Sequence, residues 1–326
     1  MRFLSRIGID LYMLVLLATI AAGLMLPARD LAAEVLKDVT FWAVALLFFI
    51  YGAKLDPSAV RAGLLNWRLQ GLSLAATYVL FPLLGLLLVA LFGPLLGATA
   101  VLGLLFLAVL PSTVNSSIAF TSIAGGNVPG AICAASVSNL LGVVLTPALV
   151  ALLLVQGQGG VGLDAVVRIG TQILLPFILG QLALPFIGGF IKRHKLVTMV
   201  VDRGSILLIV YSAFSAGTVS GLWSTVSGVD LALLFGVVWV FLALVMALVG
   251  AAGRGLKLPS ADRTALFYCG STKSLASGLP IATALFAAEQ VGAIVLPLMI
   301  YHMSQLLVCA VLSQKQAQRQ AEIGAA

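Results

Sequence analysis

An all-α polytopic membrane protein is the fold class this sequence predicts, and three observations carry that prediction. Of 326 residues, 61% are hydrophobic and only 9% are charged, with a mean hydropathy of +1.16. An ordinary soluble domain carries about 25% charged residues. The apolar residues fall in runs of about 20, the length that crosses a bilayer. The basic residues fall in short clusters between those runs. Despite the net charge of +7, that pattern reports topology rather than a nucleic-acid-binding surface.

The first run, 8–26, follows the basic start Met1-Arg2-Phe3-Leu4-Ser5-Arg6. It is longer than a typical signal-peptide core and lacks a clear small-x-small cleavage site before Pro27, so it reads as a first span. Further runs lie at 37–54, 67–92, 97–124, 128–156, 164–188, 200–221, 229–253, 261–287 and 290–313, making ten spans. Pro27, Pro57 and Pro259 mark connections, and Gly157 to Gly162 is the most flexible-looking stretch. With both termini cytoplasmic, fourteen of the eighteen basic residues lie inside, three (Arg29, Lys37 and Arg168) lie outside, and Lys273 lies in the membrane. Residues 314–326 then form a cytoplasmic C-terminal tail. Asn66-Trp67-Arg68 and Trp223 read as interfacial anchors, and Cys133, Cys269 and Cys309 as small core residues without a disulfide or metal pattern.

A short internal repeat divides the chain. Ser138-Asn139-Leu140-Leu141 in the fifth run echoes Ser304-Gln305-Leu306-Leu307 in the tenth. Ser112-Thr113-Val114-Asn115-Ser116 in the fourth echoes Ser271-Thr272-Lys273-Ser274 in the ninth. Two halves of five spans follow, 1–156 and 163–313. Five is odd, so the second half enters from the opposite side, the inverted repeat common in secondary transporters.

The two matched patches are the candidate site. An ammonium at bilayer depth costs several kcal/mol unless it is paired, solvated or deprotonated, which marks Lys273 as functional by default. Pro111 removes a backbone donor from the fourth span, and the surrounding hydroxyls can satisfy the groups it frees. Broken helices would offer Lys273 three surroundings: carbonyl ends, a substrate anion, or a dry site in which it loses its proton. Every carboxylate falls at or beside a span end, so none is placed to pair with it. The candidate substrate- or ion-binding residues are Lys273, Asn115, Ser112, Thr113, Ser116, Ser271, Thr272, Ser274, Thr77, Asn139 and Gln305. Thr77 precedes Pro82 and could line the same cavity. Asn139 and Gln305 hold equivalent places in the repeat, and His302, one turn from Gln305, reads as a satisfied core histidine.

Several segments together resemble the bile acid:sodium symporter superfamily, in its SBF-like branch. They are Leu65-Asn66-Trp67-Arg68, Val79-Leu80-Phe81-Pro82, Leu110-Pro111-Ser112-Thr113-Val114-Asn115-Ser116-Ser117, Ala124-Gly125-Gly126-Asn127-Val128, Ser138-Asn139-Leu140-Leu141-Gly142, Leu145-Thr146-Pro147 and Cys269-Gly270-Ser271-Thr272-Lys273-Ser274. The resemblance implies ten helices in two inverted five-helix repeats. A panel of spans one, two, six and seven would face a core of the others, with discontinuous spans four and nine crossing near two sodium sites. This sequence departs from the sodium-coupled pattern. Tyr268, Thr272 and Lys273 stand where the resemblance implies glutamate, glutamine and asparagine, Thr77 stands for a glutamine, and Ala131 and Ala135 stand for two hydroxyl residues.

The expected function is therefore secondary active transport of a small organic anion by alternating access in a plasma membrane, the inner membrane of a bacterium. Lys273 acts as a built-in cation, and Na+ or H+ is the candidate coupling ion. No catalytic residue, metal or cofactor is expected. The partners are the lipid bilayer and the anion, not nucleic acid, and no sequence feature sets an oligomeric state. The alternative is a non-transporting membrane regulator, for example of calcium homeostasis. A Ser271–Lys273 hydrolase dyad is disfavoured, because side chains two apart on a helix do not share a face.

Overall fold

The computed structural model describes residues 11–54, 66–154, 170–225 and 227–325, and among them all regular structure is helical. Six stretches are long and apolar enough to cross a membrane: Trp67–Leu95, Val128–Leu153, Thr171–Ile191, Leu196–Val219, Gly228–Gly255 and Ala288–Arg319. Large apolar side chains such as Leu182, Phe186 and Val229 stand exposed on these helices. In water such surfaces would drive association; facing lipid, they are the ordinary exterior of a membrane protein.

The helices begin with α1 (Leu11–Met25) and α2 (Asp30–Lys54). α2 starts at Asp30 rather than at 37, since acidic residues suit the positive end of a helix. The next rod combines α3 (Trp67–Ala75), a π turn (Ala76–Leu80) and α4 (Phe81–Phe92). Asn66 caps its start by accepting the Leu69 N–H. Two short helices follow, α5 (Ala98–Ala108) and α6 (Asn115–Ile123), parted by a non-helical segment around Pro111. α7 (Val128–Leu153) is capped by Asn127 and carries Pro147 inside.

A second π turn (Gly170–Leu174) leads into α8 (Leu175–Arg193), followed by α9 (Lys195–Val219). α10 (Gly228–Gly255) opens on a reciprocal capping box between Ser227 and Asp230. The last three helices are α11 (Ser260–Ser271), α12 (Leu275–Leu285) and α13 (Ala288–Ala325). The expected tail from 314 is a continuation of α13, because its Gln, Lys, Arg, Ala and Glu residues are good helix formers. Met1 to Arg6, Pro57, Arg61, Gly157 to Gly162 and Arg168 lie outside the described residues.

Two groups of helices pack together. α2 lies along α8, and α9 packs on both α1 and α2. The α2–α8 approach is close enough that a Cβ on Gly52 would strike the Phe177 carbonyl, and one on Gly180 the Phe49 carbonyl. In the other group, α11 packs on α10, α3, α6 and α7, while α13 packs on α5, α10 and α12. α9 bridges the groups through α12 and α13.

Trp223 lies partly buried between the Leu196–Val219 and Gly228–Gly255 stretches. It stacks on Phe214 at 4.9 Å and donates to the Phe214 carbonyl, in space left by Gly217. Trp67 does stand exposed, next to Arg68, whose guanidinium donates to the Leu256 carbonyl.

Candidate functional site

The site begins with backbone carbonyls that local sequence sets free. Pro111 cannot donate to Leu107, and the Ser112 N–H turns away to the Ser138 hydroxyl, so the end of α5 lacks its usual donors. In the π turn, the Phe81 N–H reaches back to the Ala76 carbonyl. The next residue is Pro82, which has no N–H, so the Thr77 carbonyl also stands free. Three of the freed oxygens converge on one point.

That point is the side chain of Lys273, which has no exposed surface. Its Nζ donates to the carbonyls of Leu110 (2.6 Å), Ala108 (2.9 Å) and Thr77 (3.0 Å). The Phe81 ring covers its remaining face at 3.9 Å from the centroid. Behind Phe81 stand Phe241 and Tyr301, with ring centroids 5.4 to 5.9 Å apart. Three acceptors match the three donors of an ammonium, whereas a neutral amine has only two. The C-terminal end of α5 adds the negative end of a helix dipole. Of the surroundings the sequence left open, carbonyl ends are those the lysine meets.

The backbone of the same break, Thr272 to Ser274, is held from α13. The Lys273 N–H donates to Gln305 Oε1 and the Gln305 amide nitrogen donates to the Lys273 carbonyl, both at 2.8 Å. His302 Nδ1 lies 2.9 Å from the same amide nitrogen and 3.3 Å from the Lys273 carbonyl. His302 is thus a satisfied histidine in the wall. Tyr301 donates to the Ser271 carbonyl.

The other break is held in the same manner from α7. Ser138 Oγ accepts the Ser112 N–H and Asn139 Nδ2 donates to the Ser112 carbonyl at 2.7 Å. Thr146 donates to the Val109 carbonyl. Across the gap between the breaks, the Ser274 N–H reaches the Pro111 carbonyl at 2.9 Å. The hydroxyls interlock as well: Ser112 Oγ donates to the Cys269 carbonyl and lies 3.1 Å from Thr272 Oγ1. Thr113 donates to Thr272, Ser116 donates to Thr113, and Ser277 donates to Asn139 Oδ1.

The expected residues therefore divide. Ser112, Thr113, Ser116, Thr272, Ser274, Asn139 and Gln305 meet in one network, and Thr77 joins it through its carbonyl rather than its hydroxyl, which bonds Ser73 in its own helix. Ser271 also turns its hydroxyl to its own helix, at the Phe267 carbonyl. The hydroxyls satisfy backbone at the breaks instead of surrounding Nζ, because freed carbonyls already fill every direction there. Asn115 is not brought to Lys273. It stands exposed at the start of α6, with no side-chain hydrogen-bond partner among the described residues.

Sequence reasoning missed Phe81, Tyr301 and Ser277. The signal for Tyr301 was its place one turn before Gln305, on the same helix face. Among the described residues, no group of three or more His, Cys, Asp or Glu side chains could hold a metal ion.

Comparison with known proteins places the chain in a family. Residues 10–318 match the model of the SBF-like CPA transporter family. The chain is 48% identical over 318 residues to an uncharacterized protein of Pseudomonas aeruginosa, covering 97% of this chain and 96% of that one. It is 44% identical to YfeH of Escherichia coli K12, provisionally named a symporter, across 94% and 92% of the two chains. It is 28% identical to the sodium/bile acid cotransporter 7 of Rattus norvegicus, across 96% and 94%. The latter two relatives are named as transporters rather than enzymes, and the apolar helices make this an integral membrane protein. With its match running almost end to end, the chain belongs to the SBF-like CPA transporter family.

Proposed function

We propose that this protein is a secondary active transporter for a small organic anion, working by alternating access, with Lys273 as a resident cation in place of bound sodium. The observation that carries this reading is the cage itself. A positive group sits where two broken segments meet, held by backbone carbonyls of Thr77, Ala108 and Leu110, as a desolvated metal cation would be.

The architecture in this reading is ten spans in two inverted halves, 1–156 and 163–313, with both termini cytoplasmic in a bacterial inner membrane. Equivalent roles support the repeat: Ser138 and Asn139 hold the backbone of Ser112 as Gln305 holds that of Lys273. The packing of α1, α2, α8 and α9 supports a panel, and the packing of the other helices supports a core. The substrate anion contacts Asn115 and Ser116 at the start of α6. No side chain caps that helix, and its first N–H groups and dipole favour negative charge.

Purified protein screened by thermal shift against organic anions, with and without sodium and across pH, is the test. A carboxylate or sulfonate should stabilise the protein and sodium should not. Lys273→Ala should lose transport while keeping a cooperative melting transition, and Lys273→Gln should lose any pH dependence of flux. Full transport by Lys273→Ala overturns the reading, as does sodium stabilisation present in both wild type and Lys273→Ala.

A further inference from the structure

The panel and the core meet chiefly toward one end. α9 packs on α12 and α13, and the π turn before α8 packs on α7 and α12. The short turn Leu222–Thr225, which leads from α9 to α10, packs on α9 and α13. Trp223 in that turn fills the seam. Its indole stacks on Phe214 of α9 at an interplanar angle of 10°. Gly217 of α9 approaches the ring so closely that a Cβ would lie 3.1 Å from it. Gly292 of α13 approaches the same ring, and a Cβ there would lie 2.9 Å from Trp223 Cζ2 and 3.0 Å from the Ala213 carbonyl oxygen of α9. A side chain at Gly292 would therefore part the two helices.

The other end is built differently. Asn66 and Asn127 both donate to Asp262, and the Asn127 N–H donates to the Ala261 carbonyl, which fastens the starts of α3, α7 and α11 together. The main neighbours of α3, α6 and α11 all belong to the core. α6 turns Ser117, Phe120 and Thr121 into that core and leaves Asn115, Ala119 and Ser122 exposed. Spaced four and three residues apart, these three share one face and run about 10 Å from the break toward the Asp262 end.

We infer that the structure is closed at the Trp223 end and open at the Asp262 end, with Trp223 as the latch of the closed end and the exposed face of α6 as the wall of a water-filled crevice leading to Asn115. The inference rests on the reading of the chain as an alternating-access transporter. Water suits this face, because Asn115 and Ser122 would lose hydrogen bonds in hydrocarbon. A latch suits the tryptophan, because it sits on a connection between panel and core and touches a helix of each. Admitting the anion from the Trp223 end then requires the indole to leave Gly292 and α9 to part from α13. In the proposed orientation the open end is cytoplasmic.

Thiol accessibility tests both the crevice and the latch. Cys133, Cys269 and Cys309 are buried, so Asn115→Cys supplies one reactive thiol. A charged, membrane-impermeant methanethiosulfonate is added to sealed vesicles of either orientation, and labelling of the parent chain is subtracted. Modification of Asn115→Cys should be at least tenfold faster from the Asp262 side. Adding Trp223→Ala should raise the rate from the Trp223 side at least tenfold. Faster modification from the Trp223 side, equal rates from both sides, or no modification overturns the open crevice. An unchanged Trp223-side rate with Trp223→Ala overturns the latch.

Where Trp223→Ala fails to fold, Gly292→Val intrudes on the same seam from α13 and gives the same readout. Where Asn115→Cys fails to fold, Ala119→Cys, one turn along the same face, takes its place. These rates need no substrate, so they stand apart from the Lys273→Ala transport result that tests the parent reading. An overturned latch leaves that transport result as it was.

Discussion

The two helix breaks are built from similar residues and end in opposite conditions. The break at Thr272 to Ser274 is sealed: Ser271, Thr272 and Lys273 have no exposed surface, Ser274 is 5% exposed, and Ser274 caps α12 by accepting the Ser277 N–H. The break after α5 starts equally buried at Ser112 but opens at Val114 and Asn115, and α6 has no side-chain cap. One break keeps its charge and spends every polar group internally. The other leaves donors facing outward. In the proposed reading, Lys273 and the surface that takes the anion thus sit side by side with only one of them accessible.

The comparison is broken most forcefully at Lys273. Lys273→Met strands three buried carbonyls, and at about 1–3 kcal/mol for each unsatisfied group the loss of stability should exceed that of any change below. Thermal unfolding in detergent measures it. Alkylammonium ions should restore part of the melting temperature in Lys273→Ala, whose cage keeps its three acceptors.

Gln305→Leu should follow, since it leaves the Lys273 N–H unpaired in a fully buried place and the Lys273 carbonyl with only His302 Nδ1 at 3.3 Å, at a cost of about 1–3 kcal/mol. Asn139→Leu should cost less, because Asn139 is only half-buried and water can replace it. Equal losses of melting temperature for the two would erase the distinction between sealed and open breaks.

Gly142→Ala sharpens the open side. Its Cβ would lie 2.8 Å from Tyr78 Oη and 2.9 Å from Pro111 Cβ, so overpacking of about 1–3 kcal/mol is expected in the same unfolding assay. Asn115→Ala should change stability least, within about 0.5 kcal/mol, as an exposed residue without partners does. Its effect should instead be a severalfold weaker substrate affinity, read by ligand-induced thermal shift.

Much of this was legible in the sequence, in proportion to how far side chains alone determine it. Runs of apolar residues located the spans, and Pro111 and the Gly-Ser-Thr-Lys-Ser patch located both breaks. Lys273 was visible as a lone charge, and its lack of a carboxylate partner followed from counting acids. Its actual partners were not legible, because they are main-chain oxygens of Thr77, Ala108 and Leu110, which any residue type could have supplied. The spacing of Pro82 five residues after Thr77 was the one available clue. The outward turn of Asn115 depends on the rotation of a short helix, which two turns of sequence do not specify. The extension of α13 through 314 was hidden because polarity ends a membrane span without ending a helix.

The cage also has an energetic meaning for transport. A sodium ion that enters with a substrate and leaves on the far side carries the work stored in its gradient. In the proposed reading, an ammonium fixed at Lys273 crosses nothing and delivers no such work. It can lower the barrier to an anion's passage, but accumulation against a gradient must draw on something that does move, either a proton released by that amine or a second anion travelling the other way. On the proposed reading, a chain that carries its own cation has exchanged a fuel for a fixed part.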